Sequence, residues 1–370
     1  NYTTDNTDPS VTLDAPRDDS WNNTAAITFT YTAADTYLKN CSLWGNFSGS
    51  WMINQTNLSV EPGVQDSFDP IILTDGIYTW NVQCYDNASN YEWGTTNYTL
   101  NVDLTNASIT LNAPVVGFNT SSSSVFFNFT PIDNLASTLL CNLTVNGTVE
   151  NSDSASNGQD YTTTVNSLNE GTHSWNVTCS DEANNTNISE TRYFNVDLTA
   201  PTVNLESPAN PTILDSAQIV IFRYNVSDTV SEIINCSLIF NGTINQTNNT
   251  IAKGQSLNFT QYMSGGNYEW SVNCTDTTGR VGASSTYFLN VAPPVYLNII
   301  TPADDTPVDR DSVNPLVSDN ITLIVKLSDD SSGMTVSFFA NLTDPIVNGQ
   351  SNPVDLGDAV SNSSGYATLN

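Results

Sequence analysis

An all-β chain of tandem β-sandwiches is the fold class the sequence predicts, and three observations predict it. The stretch Tyr78-Thr79-Trp80-Asn81-Val82-Gln83-Cys84 returns as His173-Ser174-Trp175-Asn176-Val177-Thr178-Cys179 and as Tyr268-Glu269-Trp270-Ser271-Val272-Asn273-Cys274, at an interval of 95 residues. Within each copy Tyr/His, Trp, Val and Cys alternate with polar residues, the period of an extended strand with one large apolar face. Such a face needs a second sheet to cover it. A second phrase recurs with the same rhythm: Val11-Thr12-Leu13-Asp14-Ala15-Pro16, Ile109 to Pro114, Val203 to Pro208 and, more loosely, Leu297 to Pro302, the closing prolines 98, 94 and 94 residues apart. No segment sustains a 3.6-residue period.

The proline phrase marks where each unit begins. Proline brings no N–H to a ladder, so it suits the end of a first, edge strand. The chain therefore divides into an N-terminal segment 1–8, units 9–103, 104–197 and 198–291, and a last domain 292–370. The joints Asp103-Leu104-Thr105 and Asp197-Leu198-Thr199 leave no room for a flexible linker, so the units are expected to stack as an extended, stiff rod. Units just under 100 residues are a usual size for one sandwich.

Inside a unit the strands follow one another with turn residues between them. In the second, Val125, Phe127 and Phe129 line one face of a strand, and Leu139, Cys141, Leu143 and Val145 line the next. Asn146-Gly147 then supplies a hairpin turn. The third unit repeats this with Ile234, Cys236, Leu238 and Phe240 before Asn241-Gly242. Its preceding strand is apolar in both parities, Ile219 and Ile221 against Val220 and Phe222, and the pattern leaves open which pair faces inward. Leu257 and Phe259 carry a later strand, the Trp-x-x-x-Cys strand comes next, and Thr286 to Val291 closes the unit.

Six cysteines fall two per unit: Cys41 and Cys84, Cys141 and Cys179, Cys236 and Cys274. Of 15 arithmetically allowed connectivities, pairing within each unit is the simplest that respects the repeat. The spacings are 43, 38 and 38, the first enlarged by an insertion around Trp51 to Pro62. No unit gathers four ligands for a Cys-based metal site. Paired cysteines imply an oxidising, extracytoplasmic setting.

Charge excludes some partners. The formal net charge is -30, from 38 acidic residues against 8 Lys and Arg. Nucleic acid and anionic membrane surfaces, which demand cationic patches, are poor partners for such a chain. No apolar run is long enough to embed in a membrane. Asn-x-Ser/Thr occurs about 26 times among 49 Asn, roughly twice the ~12 expected by chance. The placement of these sequons is regular. Asn40, Asn235 and Asn273 directly precede Cys41, Cys236 and Cys274, and Asn128, Asn142 and Asn176 directly follow Phe127, Cys141 and Trp175. A neighbour of a core residue on a strand must face solvent, where a glycan is tolerated. Asn146, Asn225, Asn241 and Asn320 complete the asparagines expected to carry covalent N-glycans.

The phrase Gly-x-Tyr-x-Trp-x-Val-x-Cys at Gly76 to Cys84, followed by Asp86-Asn87-Ala88-Ser89-Asn90, resembles the tandem immunoglobulin-like domain arrays of prokaryotic, especially archaeal, cell-surface glycoproteins. In those arrays an Asp-x-Ala-x-Asn turn links the last two strands. The resemblance covers residues 9 to about 291 and implies immunoglobulin-like sandwiches, an extracellular or cell-surface location and no enzyme activity. The third unit departs from it, with Thr275-Asp276-Thr277-Thr278-Gly279 at the turn. Residues 292–370 resemble an invasin-like immunoglobulin domain through Asn320 to Leu327 and Ser363-Ser364-Gly365-Tyr366-Ala367-Thr368. That family has further strands after this phrase. The last domain is therefore expected to be completed by a longer parent chain or, alternatively, by a strand from another subunit.

Catalytic machinery is not legible. The single histidine, His173, takes the place of Tyr78 and Tyr268 and reads as a core or strand-end residue, and no Ser/His/Asp set, phosphate loop or HExxH helix is present. No cofactor is required by this reading. One candidate Ca²⁺ site is the acidic group Asp304, Asp305, Asp309 and Asp311 with Asp329 or Asp330, hard oxygen ligands near the start of the last domain. One local feature breaks the repeat. Trp44 and Tyr85 point outward where the other units carry Thr144 with Ser180 and Ile239 with Thr275, and five of the seven Trp, including Trp51 and Trp93, fall in the first unit. These aromatics form a candidate contact patch unless the hairpin around Trp51 folds back over them.

Two functions follow. The first is a non-enzymatic structural glycoprotein, a repeat within a surface filament, stalk or coat that contacts copies of itself or neighbouring subunits. The second is an adhesin that binds glycans or a partner protein through the aromatic first domain.

Overall fold

The structure, a computed structural model, describes residues 5–293 and, beyond them, the strands Leu297–Thr301, Leu323–Leu327, Thr335–Asn341, Pro353–Val360 and Tyr366–Leu369. Every regular element among the described residues is a strand. The chain forms two compact bodies. Of the described residues, one comprises those up to Thr202 with Ser227–Asn235 and Cys274–Gly282, and the other comprises the rest.

Three sandwiches share one topology. In the second, Ser108–Ala113, Val125–Ile132 and Tyr161–Val165 form a three-stranded sheet in that order. The opposing sheet runs Phe118–Thr120, Arg192–Val196, Gly171–Ser180, Thr138–Val145 and Thr148–Ser156, and Thr186–Ile188 adds to Gly171–Ser180. Phe118–Thr120 pairs parallel with Arg192–Val196 because the first strand, after closing at its proline, crosses to the other sheet. The same strand orders recur in the first and third sandwiches. The chain is therefore a tandem array of immunoglobulin-like β-sandwiches.

Period-2 alternation decides what each core contains. Along Gly171–Ser180, His173, Trp175, Val177 and Cys179 are buried and the residues between them are half-buried. Each repeat-marking tryptophan stands edge-on to a phenylalanine across the core, borne by a strand of the facing sheet or, for Phe29, by the residue just before one: Trp80 to Phe29 at 5.0 Å, Trp175 to Phe127 at 5.1 Å and Trp270 to Phe222 at 4.9 Å. A second aromatic layer follows two residues on, Tyr31 with Phe68, Phe129 with Tyr161, and Tyr224 with Phe259. Edge-to-face pairs add about 0.5–1.5 kcal/mol each beyond their buried area.

The strand Gln218–Ser227, ambiguous in sequence, buries Val220, Phe222, Tyr224 and Val226 and turns Ile219 and Ile221 to solvent. Hairpin turns Asn146-Gly147 and Asn241-Gly242 hold both residues at positive φ (52° and 79°; 47° and 79°), the turn that matches strand twist and that Asn-Gly favours. The prolines of the recurring phrase close their strands at cis bonds after Ala15, Ala113 and Ser207.

Candidate functional site

The cysteines lie on neighbouring strands of the larger sheet. Cys41 stands opposite Cys84 and Cys141 opposite Cys179, and each pair is joined by a disulfide. Cys236 and Cys274 are also disulfide-bonded. All six are buried, so each staple sits inside its sandwich rather than on its surface.

Of the asparagines singled out for glycans, Asn146 and Asn241 are exposed, and Asn40, Asn128, Asn142, Asn176, Asn225, Asn235 and Asn273 are half-buried. Asn320 lies outside the described residues. Register places Asn142 opposite Thr178 and Asn176 opposite Thr144, so the two asparagines are diagonal neighbours on the outer face of one sheet. Some amides already serve the fold. Asn225 Nδ2 donates to Glu206, Asn128 Nδ2 donates to Asp160, and Asn146 Nδ2 lies 2.8 Å from His173 Nδ1. His173 also sits 2.8 Å from the Asn169 carbonyl and stacks on Phe194, the environment of a structural residue.

The expected aromatic patch of Trp44, Trp51, Trp93 and Tyr85 is two clusters rather than one. Trp44, Trp51 and Trp93 gather with ring centroids 5.3–6.4 Å apart, Trp51 coming from the inserted hairpin to stack beside Trp44. Tyr85 pairs instead with Tyr91 at 5.4 Å. Antiparallel register is the cause. Trp44 lies opposite Asn81 and Tyr85 opposite Asn40, so about four residues, roughly 14 Å of strand, separate them. Trp44 is half-buried and Trp51, 39% exposed, is the open member.

Carboxylates converge where the repeat brings separate segments together. Asp5, Asp35 and Asp86 form one group, Asp103, Asp133 and Asp181 a second, and Asp197, Asp228 and Asp276 a third, each with one oxygen per residue lying mutually within 4.8 Å. The first member precedes the opening strand of a sandwich, the second follows the next long strand, and the third ends the Trp-bearing strand. At 4.8 Å and an effective dielectric near 20, each like-charged pair costs about 3 kcal/mol. In the second group burial, reinforced by the charges of Asp133, Asp181 and Asp75, pushes the Asp103 carboxyl up to about 6.

Polar clasps flank these groups. Asp75 accepts hydrogen bonds from Leu104 N, Thr105 Oγ1 and Asn134 Nδ2, and these bonds, that from Thr105 foremost, hold its carboxyl below the usual range. Glu170 receives the hydroxyls of Thr199 and Thr229 and is lowered likewise, chiefly by Thr229. Sequence reasoning missed the carboxylate groups, although a signal was present: Asp86, Asp181 and Asp276 recur at the 95-residue interval of the tryptophans. The expected ligands Asp304, Asp305, Asp309, Asp311, Asp329 and Asp330 lie outside the described residues. No described helix is long and apolar enough to cross a membrane.

No protein-family model matches the chain, and no curated protein does. Among solved structures the chain is similar to a tetra-tandem repeat in the extending region of a large adhesion protein, with 16% identity over 98% of this chain and 90% of that one and a TM-score of 0.34. It is similar also to a D1–D4 ectodomain fragment of ICAM-5, with 12% identity over 94% and 90% and a TM-score of 0.38. Fibronectin(III)-like modules of Clostridium thermocellum CbhA match 50% of this chain and 94% of their own at 16% identity, with a TM-score of 0.31.

Proposed function

We propose that the chain is a non-enzymatic structural glycoprotein of the cell exterior, a disulfide-stapled immunoglobulin-like repeat within a surface filament, stalk or coat. The observation that carries the reading is that all nine described sequon asparagines singled out above are exposed or half-buried and none is buried. Buried disulfides, one staple for each sandwich, support an oxidising compartment. Partners on this reading are copies of the chain or neighbouring subunits. Intact mass of the chain from its native source tests it. Glycans at many sequons, Asn142 and Asn176 among them, raise the mass well above 40.0 kDa. A value near the bare polypeptide removes the main support for export.

The tryptophan cluster favours a second reading, an adhesin whose first sandwich stacks sugar rings or a partner's side chains on Trp51. Binding to a panel of immobilised glycans that vanishes in Trp51→Ala would select it over the structural role.

A further inference from the structure

The carboxylate groups are built in a way that solvated acidic loops are not. In each of the nine aspartates one oxygen is pinned by a backbone N–H two to four residues downstream. In the second group Thr105 N donates to Asp103, Leu135 and Ala136 N to Asp133, and Asn185 N to Asp181, at 2.8–3.1 Å. The third group repeats this with Thr199 N on Asp197, Val230 N on Asp228 and Thr278 N on Asp276. The remaining oxygen Oδ2 of Asp103, Asp133, Asp197, Asp228 and Asp276 is buried and meets no donor. Asp103, Asp197 and Asp276 are 0% exposed and Asp133 9%. A buried carboxylate oxygen without a partner is costly, and three carboxylates facing one another compound the cost.

A hard cation resolves both problems. Oxygens held about 2.4 Å from a common ion are separated by at most about 4.8 Å, the span within which each group already lies. The donors are oxygen alone, with no His or Cys, which disfavours zinc and copper. Ca²⁺, tolerant of irregular cages supplemented by carbonyls and water, fits better than Mg²⁺, which demands near-ideal octahedra.

We propose that Asp103, Asp133 and Asp181, and separately Asp197, Asp228 and Asp276, are Ca²⁺ sites. Each takes one ligand from the segment leaving one sandwich and two from strand ends of the next, all within one compact body, so the ion ties these three segments together. The first group, Asp5, Asp35 and Asp86, uses equivalent positions, but Asp5 and Asp35 are only half-buried, and the proposal does not include it.

The test uses the full chain, stripped with EGTA, then titrated with Ca²⁺ or Mg²⁺ to ~10 mM, about tenfold above the weakest dissociation constants of extracellular calcium modules, ~1 mM. Bound metal is counted by equilibrium dialysis and stability is followed by thermal unfolding. Expected are a rise in Tm with Ca²⁺, a smaller one with Mg²⁺, and one fewer bound Ca²⁺ per chain in each of Asp103→Asn and Asp276→Asn. Asparagine keeps the pinned oxygen, so both variants retain the local turn. Asp103→Asn also has an opposite sign in EGTA, raising the metal-free Tm because it removes a buried charge. Wild-type chain with no Tm response to Ca²⁺, or variants that bind as many ions as wild type, would overturn the proposal. Should Asp103→Asn misfold by near-UV circular dichroism, Asp133→Asn, which keeps the acceptor of Leu135 and Ala136 N, gives the same count.

Discussion

Removing the staple of the second sandwich is the sharpest perturbation of the fold. Cys141 and Cys179 are directly opposed, buried and 38 residues apart. On the chain-entropy model, closing a loop of that length lowers the entropy of the unfolded chain by about 13 cal/mol/K, which is about 4 kcal/mol at 25 °C. The double variant Cys141→Ala/Cys179→Ala is therefore expected to lose about 4 kcal/mol from this sandwich, a shift of roughly 20 °C in its own transition. Differential scanning calorimetry should show one transition moving down while those of the other sandwiches stay in place. A loss below about 1 kcal/mol would refute the reasoning, because the unfolded chain would then gain little freedom when the bridge is removed. A uniform shift of every transition would equally refute the independence of the three cores.

Other predictions concern single positions. Gly147→Ala forces a Cβ into the left-handed region at φ 79° and should cost about 1–2 kcal/mol, measured by urea unfolding. Phe222→Ala empties the contact with Trp270 and Phe240 and should cost about 3–5 kcal/mol in the third sandwich alone, read by the same assay. In EGTA, the Asp103 carboxyl, raised to about 6 in the folded state, binds its proton more tightly folded than unfolded. Its contribution therefore favours folding as pH falls from about 6 towards 4 and is lost as pH rises; the stability difference between wild type and Asp103→Asn should narrow over that window.

The Trp-x-x-x-Cys strand was legible because one face carries Tyr or His, Trp, Val and Cys while the residues between them are polar, and a single strand then specifies its own orientation. Gln218–Ser227 was not, since Ile219 and Ile221 compete with Val220 and Phe222. Only the match of Phe222 to Trp270 across the core decides between them. Trp44 and Tyr85 depart from the repeat in the sequence itself, yet their separation depends on antiparallel register, which position relative to a cysteine does not encode. The carboxylate groups show the same limit. Each aspartate recurs at the interval of the repeat, but a site drawn from three separated segments becomes visible only when the strand order brings their ends together.

Imaging the native material by electron cryo-microscopy tests the structural role most directly. Expected is a filament, stalk or coat in which this chain recurs as a subunit, with density projecting from Asn142 and Asn176 on the outer face of the second sandwich. Isolated chains bound singly to an unrelated partner, with bare asparagines, would contradict it.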